Sequence, residues 1–171
     1  MPRARDQPAD FPVFVVHKHL FNKLHYDLRL EYGGVLKSWT VPRGPSMDPR
    51  IKRFATEGRD LPLSAARFEG VGDGQKIIVW DTGKFEFSGG EAAFRRGLER
   101  GRLTFVLRGK KLHGAFSMFR FVGKKRWLLF KRPDKYATSE DPTLNARSAI
   151  SRRILRDPEP EIKKKRLKLE F

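Results

Sequence analysis

Three of the chain's four histidines, His17, His19 and His25, fall within a short stretch, and Asp27 and Arg29 follow the last of them at steps of two. A strand repeats every two residues, so His25, Asp27, Arg29 and Glu31 project from one side while Tyr26, Leu28, Leu30 and Tyr32 make an apolar face on the other. If the segment bearing His17 and His19 lies beside this strand, or the two meet at a barrel mouth, then His19, His25 and Asp27 converge. They would offer two imidazole nitrogens and one carboxylate oxygen. Such a donor set suits Mn²⁺, Zn²⁺ or Fe²⁺ and leaves positions open for water or a phosphate oxygen. Arg29 would stand beside that ion with a fork shaped for phosphate. His17 shares the His19 face, and support is a better expectation for it than ligation. The same spacing also fits a solvated sheet face on which Asp27 simply pairs with Arg29 or a lysine.

The elements that must position these groups read as strands. FVVHKH and HYDLRLEY alternate strictly, Gly33-Gly34 turns the chain, and VLKSWTV returns as a hairpin partner until PRGPS ends it. Further strands are expected over residues 75–80, 84–87, 102–107, 114–121 and 127–131, with Asp81-Thr82-Gly83 and Gly123-Lys124-Lys125 as turns. Ser88 ahead of EAAFRRGL predicts a short amphipathic helix with Phe94 and Leu98 on its core side. Residues 148–156 are expected as a short basic helix, and residues 158–171 as a mobile lysine-rich tail. The fold class predicted is mainly β: a compact antiparallel barrel with one or two short flanking helices and a basic C-terminal tail. Its expected divisions are an N-terminal arm over residues 1–12, a barrel over 13–137 and a basic extension over 138–171.

Composition narrows the chemistry. The 171 residues carry a net charge of +17 and no cysteine, which excludes disulfides, thiolate metal sites and a thiol nucleophile. A field of this sign draws polyanions, nucleic acid foremost, and Lys110, Lys111, Lys124, Lys125, Arg126 and the lysines of residues 163–168 are the candidate contacts. Trp39, Trp80 and Trp127 sit in apolar strand patterns and are expected in the core, which weighs against a base-stacking RNA barrel built on them. His113, in a basic turn, is expected at the surface. No apolar run approaches a membrane span and no signal core opens the chain, so the expected location is cytoplasmic, associated with the nucleoid, with no membrane partner.

The run FVVHKHLFNKLHYDLRLEYGGVLKSWTVPRGPS, followed by KRFA, FEG, IIVWD and WLLFKR, resembles the 3′-phosphoesterase domain of bacterial DNA ligase D, which also occurs as a stand-alone protein. The ordered motifs extend over residues 14–136. The resemblance implies a manganese-dependent β-barrel enzyme that removes 3′-phosphates and 3′-ribonucleotides from DNA ends in non-homologous end joining. His19, His25 and Asp27 match its metal ligands, Arg29 a phosphate-binding arginine, and Arg43 the basic residue of its VP-basic-GPS turn. His17 stands where the family generally has glutamine. Leu61 replaces an active-site histidine, Ala65 a tyrosine, and the loop after FEG is abbreviated to VGDGQ. Losing one such polar group commonly costs on the order of 10²- to 10³-fold in rate. The expectation is therefore an end-processing phosphoesterase of weakened or altered activity. The alternative is a catalytically inactive module of the same fold that holds DNA ends or recruits a ligase. Implied partners are DNA 3′ ends and a separate ATP-dependent ligase, polymerase and end-binding protein.

Overall fold

The structure, a computed structural model, describes residues 11–123 and 125–156. Lys124 and the lysines of residues 163–168 lie outside the described residues.

The first hairpin forms as its sequence dictates. Strands β1 (Val13–Phe21), β2 (Lys23–Tyr32) and β3 (Val35–Val41) follow one another antiparallel. Gly33 and Gly34 link the last two with φ of 60° and 82°, a left-handed pair that matches strand twist in a two-residue turn and that side-chain-bearing residues resist. The sheet continues through β4 (Arg53–Glu57), β5 (Leu61–Pro62), β6 (Gly70–Gly72), β7 (Gln75–Phe87), β8 (Arg102–Arg108), β9 (His113–Val122) and β10 (Arg126–Lys131). Its order is β1-β2-β3-β4-β10-β9-β8-β7, and β7 pairs back onto β1, so these eight strands close a barrel, which leaves no edge among them. The short β5 and β6 attach to β3 and β7.

Alternation fills the lumen. Phe14, Val16, Tyr26, Leu28 and Leu30 join Trp39, Trp80 and Trp127 there, and the three indoles are buried as expected. Helix α1 (Gly90–Arg100) adds Phe94 to the same core, with Leu98 packed against it. Gly89 and Gly101, both left-handed, bound the helix, and no side-chain bond from Ser88 caps it. A second, smaller cluster of Val15, Leu36 and Val79 lies on the outer wall, where Leu61 and Ala65 cover it.

Two expectations are corrected. Asp81-Thr82-Gly83 is no turn but the middle of the 13-residue β7. The Asp81 carboxylate, which would have closed a local turn, instead accepts from the backbone amides of Lys110, Lys111 and Leu112, and Thr82 donates to the Phe14 carbonyl. Residues 148–156 do not form a helix either; Arg147 and Ile154 make an isolated bridge and the chain between them doubles back. Its carbonyls serve as acceptors for the barrel's own cations, a use that a helix would deny them. Lys18 donates to Leu155 O at 2.5 Å, Lys110 to Ala149 O at 2.6 Å and Lys111 to Arg147 O at 2.6 Å. Burial pulls the Lys111 ammonium down to about 8.

Close approach at Gly83 provides a test. A Cβ there would stand 2.0 Å from the Arg108 carbonyl oxygen, whereas one at Gly72 would meet nothing within 4 Å. Gly83→Ala is expected to lower the unfolding free energy in urea by about 2 kcal/mol or more, and Gly72→Ala to leave it within about 0.5 kcal/mol.

Candidate metal and phosphate site

The polar face of the first hairpin points outward from the barrel, yet it is largely shielded from solvent. Register fixes its geometry: His19 lies opposite His25, His17 opposite Asp27 and Val15 opposite Arg29. The two strands are thus side by side, with no need of a barrel mouth. His19 Nδ1 stands 3.1 Å from His25 Nε2, which is 3.2 Å from Asp27 Oδ2. One donor atom from each of the three residues lies within 4.8 Å of the others.

The surrounding bonds prepare these atoms to receive a cation. His19 Nε2 meets Gln75 Oε1 at 2.8 Å; an amide oxygen can only accept, so that nitrogen carries the proton and Nδ1 keeps its lone pair. His25 bonds the backbone of Lys23, leaving Nε2 toward the cluster. Thr40 Oγ1 donates to Asp27 Oδ1 at 2.8 Å and orients the carboxylate from behind. Outward bonds of this kind hold ligands in the tautomer and rotamer that a metal requires, and the donor set fits a divalent ion.

Electrostatics favour the carboxylate form of Asp27. Burial alone would raise the Asp27 pKa, but the hydrogen bond with His25, the Arg29 charge and the Thr40 hydroxyl together hold it below the ordinary carboxylate range. The same hydrogen bond to Asp27 raises His25 above its usual value against the opposing effect of burial.

Arg29 is fixed on three sides. Nη2 reaches Asp27 Oδ2 at 3.3 Å, Nη1 donates to Ser38 Oγ at 2.8 Å and Nε donates to His17 Nδ1 at 3.0 Å. Of the five N–H groups of a guanidinium, two remain for phosphate oxygens. His17 itself is buried; burial foremost and then the Arg29 charge push its pKa down to about 4. Because Nδ1 accepts from Arg29, its Nε2–H donates to the Phe68 carbonyl at 3.1 Å. It is a neutral brace for Arg29 and stands apart from the three converging donors.

The other residues singled out by sequence lie elsewhere. Arg43 is exposed in the turn that follows β3 at the His25 end of the hairpin, where Val41 pairs with Tyr26. Lys110 and Lys111 engage the carbonyls of residues 147–149, while Lys125 and Arg126 are exposed at the start of β10. His113 opens β9, its ring 5.7 Å from that of Tyr136. Ser38, Thr40 and Gln75 were not anticipated. The first two were within reach of the sequence: a hairpin turning at Gly33-Gly34 places Ser38 opposite Arg29 and Thr40 opposite Asp27. Gln75 had no local signal, because it comes from β7 on the far flank of β1.

Isothermal titration with Mn²⁺ tests the cluster. One ion per chain is expected, with His25→Ala abolishing measurable binding and Gln75→Ala weakening it by roughly 10- to 100-fold.

A family model described as the DNA Ligase D 3′-phosphoesterase domain matches residues 17–120. Among similar proteins, the multifunctional non-homologous end joining protein LigD of Pseudomonas aeruginosa is 44% identical over 137 residues, covering 75% of this chain and 16% of that protein. The protein of the same name from Mycobacterium bovis is 32% identical over 133 residues, covering 75% of this chain and 17% of the relative. That from Mycolicibacterium smegmatis is 31% identical over 164 residues, covering 89% and 21% respectively. The chain therefore spans about a fifth or less of the length of these relatives. The match takes in every residue of the converging cluster, its arginine and their supports on β3 and β7, and the chain belongs to the DNA ligase D 3′-phosphoesterase domain family.

Proposed function

We propose that the chain processes DNA 3′ ends as a divalent-metal-dependent phosphoesterase, Mn²⁺ being the expected ion, in non-homologous end joining. The observation that carries this reading is the convergence of His19, His25 and Asp27 within 4.8 Å, beside a guanidinium with N–H groups to spare. A divalent ion held by those three residues would supply Lewis-acid polarisation of a phosphoryl oxygen. The chain's own contribution is positional. Arg29 binds two non-bridging oxygens of a 3′-terminal phosphate or phosphodiester, and His17 and Ser38 hold its plane so that no reorganisation is required as charge develops. Asp27 balances the positive charge gathered around it, and exposed Arg43 is a second candidate for the phosphate. His17, neutral and with both ring nitrogens engaged, is unsuited to deliver a proton at neutral pH.

The outer-wall cluster favours weakened turnover. Leu61 pairs with Leu36 on β3 and packs against it, two residues along the same face from Ser38, which bonds Arg29. Where the family pattern has histidine and tyrosine, this wall presents Leu61 and Ala65, which have no polar side-chain atom to protonate a leaving group or bind an oxygen. That observation also supports the second reading, a module that binds ends without turning them over. Lys125 and Arg126 are candidate phosphate contacts on either reading, as Lys124 is by its place in sequence. A separate ATP-dependent ligase, a polymerase and an end-binding protein are the partners proposed, and the nucleoid the proposed location. Among the described residues no helix is long and apolar enough to cross a membrane.

Release of inorganic phosphate from a 3′-phosphorylated primer-template in Mn²⁺ is the deciding assay. Product is expected from the wild type and none with EDTA or Asp27→Asn. Arg29→Ala should cost on the order of 10²-fold, and Leu61→His should raise the rate by at least about 10-fold. Mn²⁺ binding with no phosphate released by either wild type or Leu61→His would leave only the binding module.

A further inference from the structure

Going round the barrel from the metal cluster, the outer wall changes from polar to aromatic. Pairing sets one continuous row across it: His17 opposite Asp27, Asp27 opposite Thr40, Thr40 opposite Thr56 and Thr56 opposite Arg126. Directly paired residues share a face, so this row runs from the metal cluster to an exposed arginine about 14 Å away, three strand spacings along one wall. The next outward row holds Phe54, Leu128, Phe119 and Arg102 in register.

Phe54 is 66% exposed and Phe121 43%, their ring centroids 5.9 Å apart. Phe121 is the extra residue of a bulge, since Arg126 pairs with Val122 while Trp127 pairs with Arg120. Bulges of this sort re-aim a side chain, here onto Phe54. Cations lie over the neighbouring rings of the same wall: Lys52 Nζ is 5.2 Å from the Phe130 centroid and the Arg102 guanidinium 5.4 Å from that of Phe119. Along β4, β9 and β10 the one carboxylate is Glu57, and it accepts from the Trp127 indole instead of joining the outer wall. Exposed aromatic faces set among cations, with no outward acid on these strands, match the chemistry of an unpaired polynucleotide, whose bases stack while its phosphates are neutralised.

We propose that Phe54 and Phe121, with Arg126 beside them on the row that leads back to the metal cluster, form a platform for single-stranded DNA continuous with the strand end held at that cluster. The inference rests on the phosphoesterase reading for its choice of DNA as ligand and for the strand end at the metal cluster. It extends that reading by making the substrate an end that carries an unpaired strand.

Fluorescence anisotropy with a labelled dT12 oligonucleotide in EDTA tests it without turnover. Replacing both rings (Phe54→Leu with Phe121→Leu) keeps apolar bulk and removes the π faces. It should weaken dT12 binding about 10-fold or more and change binding of a blunt duplex of the same length by less than about twofold. Phe54→Trp, which preserves a ring, should show indole quenching as dT12 is added. Unchanged dT12 affinity in the leucine pair, an equal loss on duplex, or absence of quenching would overturn the platform. So would sedimentation velocity showing a wild-type dimer that the leucine pair dissociates, since the patch would then be covered by a second copy. The titration is run in EDTA, without metal or turnover, so loss of phosphate release and loss of strand binding fail separately.

Discussion

The Asp27 carboxylate is the constraint on which the site depends. One oxygen takes the Thr40 hydroxyl, and the other lies within 3.3 Å of both the His25 imidazole and the Arg29 guanidinium. A buried anion so placed bonds both groups at once, and its charge opposes the burial that lowers the Arg29 pKa. The register of a single hairpin is enough to set all of this, because His25 and Arg29 flank Asp27 on its own strand and Thr40 faces it across the pair. A slip of one residue would move the whole polar face into the lumen and Leu28 onto the wall.

Much of this was legible in the sequence because its signals are local. Alternation from His25 to Tyr32 separated the polar from the apolar face, the paired glycines placed the turn between β2 and β3, and the candidate donors fell on two consecutive strands that pair side by side. What stayed hidden depends on distant chain. Asp81 has the composition of a turn but answers amides 29 to 31 residues away, so local propensity misread it. The basic stretch near residue 150 has helical charge spacing, yet its carbonyls are claimed by lysines on β1 and the β8–β9 connection. Gln75 reaches His19 only because β7 closes the barrel against β1.

The two faces of the wall show how one scaffold separates tasks. Inward positions are spent on aromatic packing, and the indoles of Trp39 and Trp127 meet edge to face with centroids 5.7 Å apart. Outward positions carry the polar cluster and a separate small apolar patch, where Leu61 and Ala65 pack on Val15, Leu36 and Val79 and not on the lumen. Fold and chemistry in this chain are therefore separable by strand parity.

The lysine-held segment near the C-terminus bears on how the domain is to be delimited. Trp80 donates its indole N–H to the Asn145 carbonyl, and Ala149 and Leu155 are themselves buried. A fragment trimmed at the last barrel strand would strip acceptors from three ammonium groups and open a lumen-facing indole to water. The groups that satisfy the barrel's ammonium and indole donors thus reach beyond the closed sheet, as far as Leu155.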